Sequence, residues 1–98
     1  EYSLAEMEND LTAAIITPAE LAAPVNSIRQ NLQAEYVNRL VNITRNSSFL
    51  AAAQSVAYHQ LRRIESMLRA SEKGAPEVNQ PHIAFLQYKI KRGLDDKS

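Results

Sequence analysis

The stretch of sequence that decides the fold runs from Ser27 to Ile43 and reads SIRQNLQAEYVNRLVNI. At about 100° per residue, a helix with this sequence has one apolar face and a second apolar strip beside it. The face holds Ile28, Leu32, Tyr36, Leu40 and Ile43, and the strip holds Ala34, Val37 and Val41. Because so wide an apolar surface has two sides to bury, the stretch predicts a central helix with neighbours on both sides.

Two polar residues, Arg29 and Gln33, lie inside this wide face, one turn apart and next to Tyr36. Buried polar groups need hydrogen-bond partners, so the pair can belong to a network inside or at the rim of a bundle. Arginine and tyrosine are also favoured anchors at interfaces, so the same residues can form a docking surface for another domain. The sequence leaves both alternatives open.

The composition is that of one small helical domain. The chain has 98 residues, of which 45% are hydrophobic and 22% charged, which is ordinary for a globular protein. Only 2 residues are glycine. A sheet protein with tight turns uses more glycine, so the composition favours helix.

The N-terminal part of the chain carries two helix start signals. Ser3 followed by Glu6 is a capping box, which predicts a first helix from about Leu4 to Ile16. The sequence TPAE at residues 17–20 repeats the signal, with proline at the first helical position. Since Pro24 stops a helix that starts there, this second signal predicts only a short helical turn.

Two longer helices come next. The central helix is expected to be capped by Asn26 or Ser27 and to run to about Arg45. The next is expected over about Phe49 to Ser71, with a serine of the preceding connection as its cap. Its apolar stripe, spaced by threes and fours, is Leu50, Ala53, Ala57, Leu61, Ile64 and Leu68.

The last helix is predicted to open at Pro81, after a long loop over Glu72 to Gln80. Its stripe is Ile83, Leu86, Ile90 and Leu94. Gly93 is expected to end it in a left-handed turn, which leaves residues 95–98 as a solvated tail. Phe85 and Tyr88 fall off the stripe. Core packing at the bundle edge is their favoured role, and a surface facing a partner is the alternative.

Together these elements predict an all-α fold, a small up-and-down bundle of about four helices with one additional short helical turn. Residues 1–98 are expected to form a single domain. Because the chain opens with Glu1 rather than methionine, we expect it to be a mature piece or an excised domain of a longer protein.

The charges and chemical groups exclude several function classes. Eleven basic and eleven acidic side chains cancel, so nucleic-acid binding through Arg62, Arg69 and the terminal lysines is only a weak hypothesis. No apolar run approaches the roughly 20 residues that span a bilayer, so no membrane insertion is expected. The chain has no cysteine, and His59 and His82 lie in different helices without a zinc-protease spacing. We therefore predict no catalytic, cofactor-binding or metal-binding residue in this chain.

Several segments nevertheless resemble a known family. They are YSLAEM at residues 2–7 with DL at 10–11, IRQNLQ at 28–33 with YV at 36–37 and RL at 39–40, QLRRI at 60–64, and HIAFL at 82–86 with IKR at 90–92. In this order they resemble the C-terminal helical region of large bacterial metzincin-like zinc-dependent metalloproteases, common in Bacteroidetes. The family's zinc ligands and catalytic glutamate match nothing in this chain.

The resemblance implies a non-catalytic C-terminal domain of an exported protease, with zinc held in the upstream protease domain. The expected partners are that protease domain and its protein or peptide substrate, and the expected location is extracytoplasmic: periplasmic, cell-surface or secreted. The domain would support the protease domain or position substrate through a candidate interface of Arg29, Gln33, Tyr36, Phe85 and Tyr88. The alternative is a free-standing helical adaptor or oligomerisation module.

Overall fold

The computed structural model describes Ser3, Glu6 and residues 16–97 of the chain. These residues form four helices and two 3₁₀ turns, and they contain no strand. The helices are α1 (Pro18–Ala22), α2 (Ser27–Arg45), α3 (Ala51–Ser71) and α4 (Gln80–Lys97), with 3₁₀ turns at Glu72–Gly74 and Glu77–Asn79. The prediction of a small all-α bundle is confirmed.

The predicted first helix, Leu4 to Ile16, lies outside the described residues apart from Glu6 and Ile16. The two residues of its start signal, Ser3 and Glu6, are among the described residues. The Glu6 N–H donates to Ser3 Oγ at 3.1 Å, and the Ser3 hydroxyl donates to a Glu6 carboxylate oxygen at 3.3 Å. The serine therefore caps the backbone as expected. In a capping box, the glutamate carboxylate accepts from the backbone N–H of the capping serine. Here the Glu6 carboxylate accepts from the serine hydroxyl instead.

Two of the predicted helix starts have the expected caps. Thr17 Oγ1 accepts a hydrogen bond from the Glu20 N–H at 3.2 Å, at the start of α1. Asn26 Oδ1 accepts one from the Arg29 N–H at 2.8 Å, at the start of α2. Each bond satisfies a backbone donor that the first helical turn leaves without a partner.

The predicted serine cap of α3 is wrong. This helix begins at Ala51 and has no side-chain cap. Both the N–H and the hydroxyl of Ser48 donate to Asn46 Oδ1, at 3.0 and 2.7 Å, so the serine stabilises the connecting turn. Gln54 also stabilises this turn, because its Nε2 donates a hydrogen bond to the Asn46 carbonyl at 2.7 Å.

The three long helices run up, down and up. The Gln33 side chain of α2 meets His82 of α4, and Val41 faces Gly93 further along the same two helices, so α2 and α4 are parallel. α3 follows α2 after a short connection and runs in the opposite direction. As predicted, the central helix α2 has neighbours on two sides, since it packs against both α3 and α4.

The buried face of α2 differs from the predicted one. Tyr36, Leu40 and Ile43 are buried, as are Val37 and Val41 of the second strip, but Ile28 is 71% exposed and Leu32 is also exposed. A step of four residues turns a helix by about 400°, which overshoots a full turn by about 40°. Three such steps from Ile28 to Leu40 add up to about 120°, so the apolar row leaves the core.

The other predicted stripes are buried, with one exception. Leu50, which precedes the first turn of α3, is exposed. In α3 the buried members are Ala53, Ala57, Leu61, Ile64 and Leu68, and in α4 they are Ile83, Leu86, Ile90 and Leu94. These side chains form the core with those of α2 and with Leu21 of α1.

Gly93 does not end α4, so the predicted left-handed turn is wrong, and residues 95–97 of the predicted tail are helical; Ser98 lies outside the described residues. The helix continues to Lys97, and neither glycine has a positive φ. Gly93 is buried, and a Cβ placed on it would lie 2.9 Å from Val41 Cγ2 and 3.0 Å from Cγ1. The glycine is present because α2 and α4 approach too closely here for a side chain.

The connection between α3 and α4 contains Asn79, which is fully buried. Its Nδ2 donates to the Leu21 carbonyl at 2.7 Å and to the Ala23 carbonyl, and its Oδ1 accepts from the Val25 N–H at 3.2 Å. One amide thus satisfies the polar backbone groups at the end of α1. It holds this five-residue helix, too short to be stable alone, against the bundle.

We expect Gly93→Ala to lower the free energy of unfolding by about 1–3 kcal/mol, because the buried, β-branched Val41 has little freedom to move away. Helix propensity alone predicts the opposite sign, a gain of about 1 kcal/mol. Urea unfolding, monitored by circular dichroism, shows whether the substitution lowers or raises the free energy of unfolding. Gly74→Ala is the matched control, since nothing lies within 4 Å of its Cβ position. Adding Val41→Ala should recover part of the loss; a stabilising Gly93→Ala would contradict the close contact.

We expect Asn79→Ala to cost about 2–3 kcal/mol, because two carbonyls and an N–H lose a buried partner. Asn79→Asp should cost more, since a carboxylate would face both carbonyls without a donor. Asn31→Ala, at an exposed position of α2, is the control in the same urea titrations. Equal stability of the Asn79→Ala and Asn31→Ala variants would show that the amide does not hold α1.

Candidate functional site

A polar network joins α1, α2 and α4 at the end of the bundle where α2 and α4 begin. Glu20 Oε2 lies 3.4 Å from Arg29 Nε and accepts a hydrogen bond from Gln33 Nε2 at 3.2 Å. The other end of the Gln33 amide, Oε1, lies 2.8 Å from His82 Nε2. We refer to Glu20, Arg29, Gln33 and His82 as the junction network.

The carboxylate of Glu20 determines the direction of the hydrogen bonds. Because a carboxylate only accepts, the NH₂ group of Gln33 must face it, and the Gln33 oxygen therefore faces His82. His82 Nε2 consequently carries a hydrogen and donates. Gln33 is only 4% exposed, and both ends of its amide have partners. This arrangement matches the first of the two roles considered for Arg29 and Gln33, a hydrogen-bonded network at the rim.

Burial lowers the pKa of His82 below its ordinary value of 6.5, because the partly desolvated site disfavours the imidazolium. The Arg29–Glu20 ion pair lies at the solvent edge, with half of the Arg29 side chain exposed. Such a pair contributes about 0–1 kcal/mol.

The junction network joins the starts of α2 and α4 to α1. Its carboxylate is engaged by Arg29 and Gln33, and the Gln33 amide also contacts His82. Within the described part of the chain, no group of three or more His, Asp or Glu side chains is placed to hold a metal ion. No helix among residues 16–97 has the length and apolar character needed to cross a membrane.

The candidate interface residues lie in different environments. Gln33 and Tyr36 are 4% and 5% exposed, so a partner cannot contact them directly without a change in the domain. Arg29, Phe85 and Tyr88 are exposed. The expectation of core packing for Phe85 and Tyr88 is wrong, because they are 46% and 57% exposed. The two aromatic residues are not brought together with Arg29 by any contact of the described residues.

Phe85 and Tyr88 lie on a surface that we call the outer face of α4, together with Arg92. Phe85 is two residues from the buried Ile83, which places it about 200° away around the helix. The Arg92 guanidinium lies over the Tyr88 ring, 5.8 Å from its centroid, and its Nη1 donates to the Tyr88 hydroxyl at 3.2 Å. The arginine therefore restrains the exposed tyrosine.

Sequence reasoning misses three residues of this region. From the sequence, Glu20 is only part of a helix start signal, His82 is a histidine without a zinc-protease spacing, and Asn79 is part of the predicted loop. An asparagine directly before a helix signals a cap. That signal gives no information about the bonds that Asn79 makes to α1.

Comparisons of the chain with protein families, with curated proteins and with solved structures find no match.

Because folding lowers the pKa of His82, the folded state binds fewer protons than the unfolded state. We therefore expect the free energy of unfolding to fall as the pH drops from about 7 through the lowered pKa of the folded state. His82→Gln keeps a donor for Gln33 and should flatten this part of the pH profile. Asn31→Ala, at an exposed position without a titratable side chain, is the control and should leave the pH profile unchanged. Urea unfolding at several pH values is the measurement; parallel profiles for His82→Gln and the unaltered chain would contradict the expectation.

Proposed function

We propose that this chain is a non-catalytic interaction domain that docks on the protease domain of an exported, metzincin-like zinc-dependent metalloprotease. The identity of the partner and the extracytoplasmic location rest on the resemblance of the chain to the C-terminal region of those proteins. The observation that supports docking is the outer face of α4, where two aromatic side chains are exposed beside an arginine.

The exposed aromatic side chains indicate that the outer face of α4 is a contact surface for a partner rather than a face that only meets solvent. Tyrosine, phenylalanine and arginine are enriched at the centres of interfaces, where burying an aromatic ring contributes most of the binding energy. The opposite side of α4 is fixed in the core by Leu86 and Ile90, both fully buried. A rigid helix loses little conformational freedom on binding, which makes it a favourable docking platform.

The remaining candidate residues have a supporting role in this proposal. Arg29 is exposed and can contact the partner, whereas Gln33 and Tyr36 are buried and stabilise the domain from inside. Zinc and the catalytic glutamate would belong to the protease domain, and this domain would support it or position its peptide substrate.

The test uses the longer natural chain that contains the protease and this domain. We expect Phe85→Ser with Tyr88→Ser to lower kcat/KM for peptide cleavage by about tenfold, a loss of about 1.4 kcal/mol, with zinc content unchanged. Leu50→Ser with Val78→Ser is the matched control, because these apolar residues are also exposed but lie elsewhere. Deletion of residues 1–98 should lower kcat/KM at least as much as the Phe85 and Tyr88 substitutions do.

Two results would reject this proposal. Unchanged folding, secretion and cleavage after deletion of the domain would remove any role in the protease. A natural chain without a protease, together with a homodimer that Phe85→Ser and Tyr88→Ser dissociate in light scattering, would instead identify the alternative, a helical adaptor or oligomerisation module.

A further inference from the structure

A cleft of about 470 Å³ lies between the end of α3 and the first half of α4. One wall consists of Arg69, Glu72 and Lys73, and the other of Gln80 and Gln87, with Ile83 between them. Clefts of this size accommodate small ligands or short peptide segments. Ala84 also lines the cleft and lies about 40° around α4 from Tyr88, so the cleft borders the outer face of that helix but includes none of Phe85, Tyr88 and Arg92.

The charges of the cleft select an anionic ligand of low charge. Arg69 and Lys73 are four residues apart, and neither forms an ion pair with any residue that the structure describes. Glu72 contributes one opposing charge, so the lining carries a net charge of +1 in a chain with net charge zero. A single carboxylate matches this wall, whereas Glu72 disfavours phosphates and nucleic acids, which carry more charge.

The opposite wall presents groups that match a peptide backbone. Gln80 and Gln87 are seven residues apart, which places them on the same side of α4 two turns apart. A glutamine amide offers a donor and an acceptor, as a peptide group does. The Gln80 Nε2 donates weakly to the Ala75 carbonyl at 3.4 Å, so its oxygen stays available as an acceptor.

We propose that this cleft binds an extended peptide segment through an acidic side chain. The carboxylate of an aspartate or glutamate is held by Arg69 and Lys73, with the guanidinium able to donate two parallel hydrogen bonds. The amides of Gln80 and Gln87 bind the adjoining backbone. This site does not depend on docking of the outer face of α4, and either can fail without the other.

The test titrates the 98-residue chain with a blocked peptide, acetyl-Gly-Glu-Ala-Glu-Gly-amide, and monitors the backbone amide signals by NMR. We expect saturable shifts at Arg69, Lys73, Gln80 and Gln87, and none of these with the peptide in which glutamine replaces both glutamates. Arg69→Gln with Lys73→Gln should weaken binding about tenfold. Arg63→Gln with Lys91→Gln removes the same charges at exposed positions outside the cleft, and should leave binding unchanged.

The proposal would be overturned by equal binding of the glutamine peptide, by equal weakening in the control variant, or by shifts confined to other residues. A third peptide, with neutral side chains and a free C-terminal carboxylate, tests the source of the charge. Binding of that peptide in place of the glutamate peptide would assign the cleft to chain termini and reject the acidic side chain. The altered residues Arg69 and Lys73 are exposed, and dispersed NMR spectra of the variants verify that they fold.

Discussion

The side-chain amide of Asn79 is the constraint on which the end of this bundle depends. It joins the end of α1 to a turn 54 to 58 residues later in the chain, and it does so from a fully buried position. A buried amide is stable only with all its partners in place, so α1 can occupy one position relative to α4. That position brings Glu20 to Gln33 and Arg29. The Glu20 part of the junction network therefore depends on the bonds that Asn79 makes.

A second constraint, the close approach of α2 and α4 at Gly93, sets the orientation of α4. Since Val41 occupies the space where a side chain of residue 93 would lie, α4 can turn only one side to α2 at this level. The same orientation directs Phe85 and Tyr88 outward and leaves Gln80 and Gln87 beside the end of α3. Both proposed binding surfaces thus result from packing in the core, although the side chains proposed to contact a ligand or partner lie outside it.

Some polar groups of the molecule hold its helices together, and others remain available to bind a ligand. Asn79 and Gln33 have partners for their amides and are buried, so they serve the fold and the joining of its helices. Arg69 and Lys73 lack ion-pair partners among the described residues, and Arg92 is held against Tyr88. The free energy of a buried polar group depends on the partners that the fold supplies, whereas an exposed cation keeps its hydration and remains available for a ligand.

Local signals in the chain are enough to predict the helices of residues 16–97, because caps such as Thr17 and Asn26 and apolar steps of three and four residues act within one or two turns. They also predict most of the core, including Leu61 and Ile90. They could not predict that Ile28 leaves the core, that Gly93 continues its helix, or that Phe85 and Tyr88 face outward. These features depend on which side of each helix meets a neighbour. The bonds of Asn79, Gln33 and His82 depend on the tertiary structure alone, because their partners are distant in sequence and no local pattern encodes the distance between them.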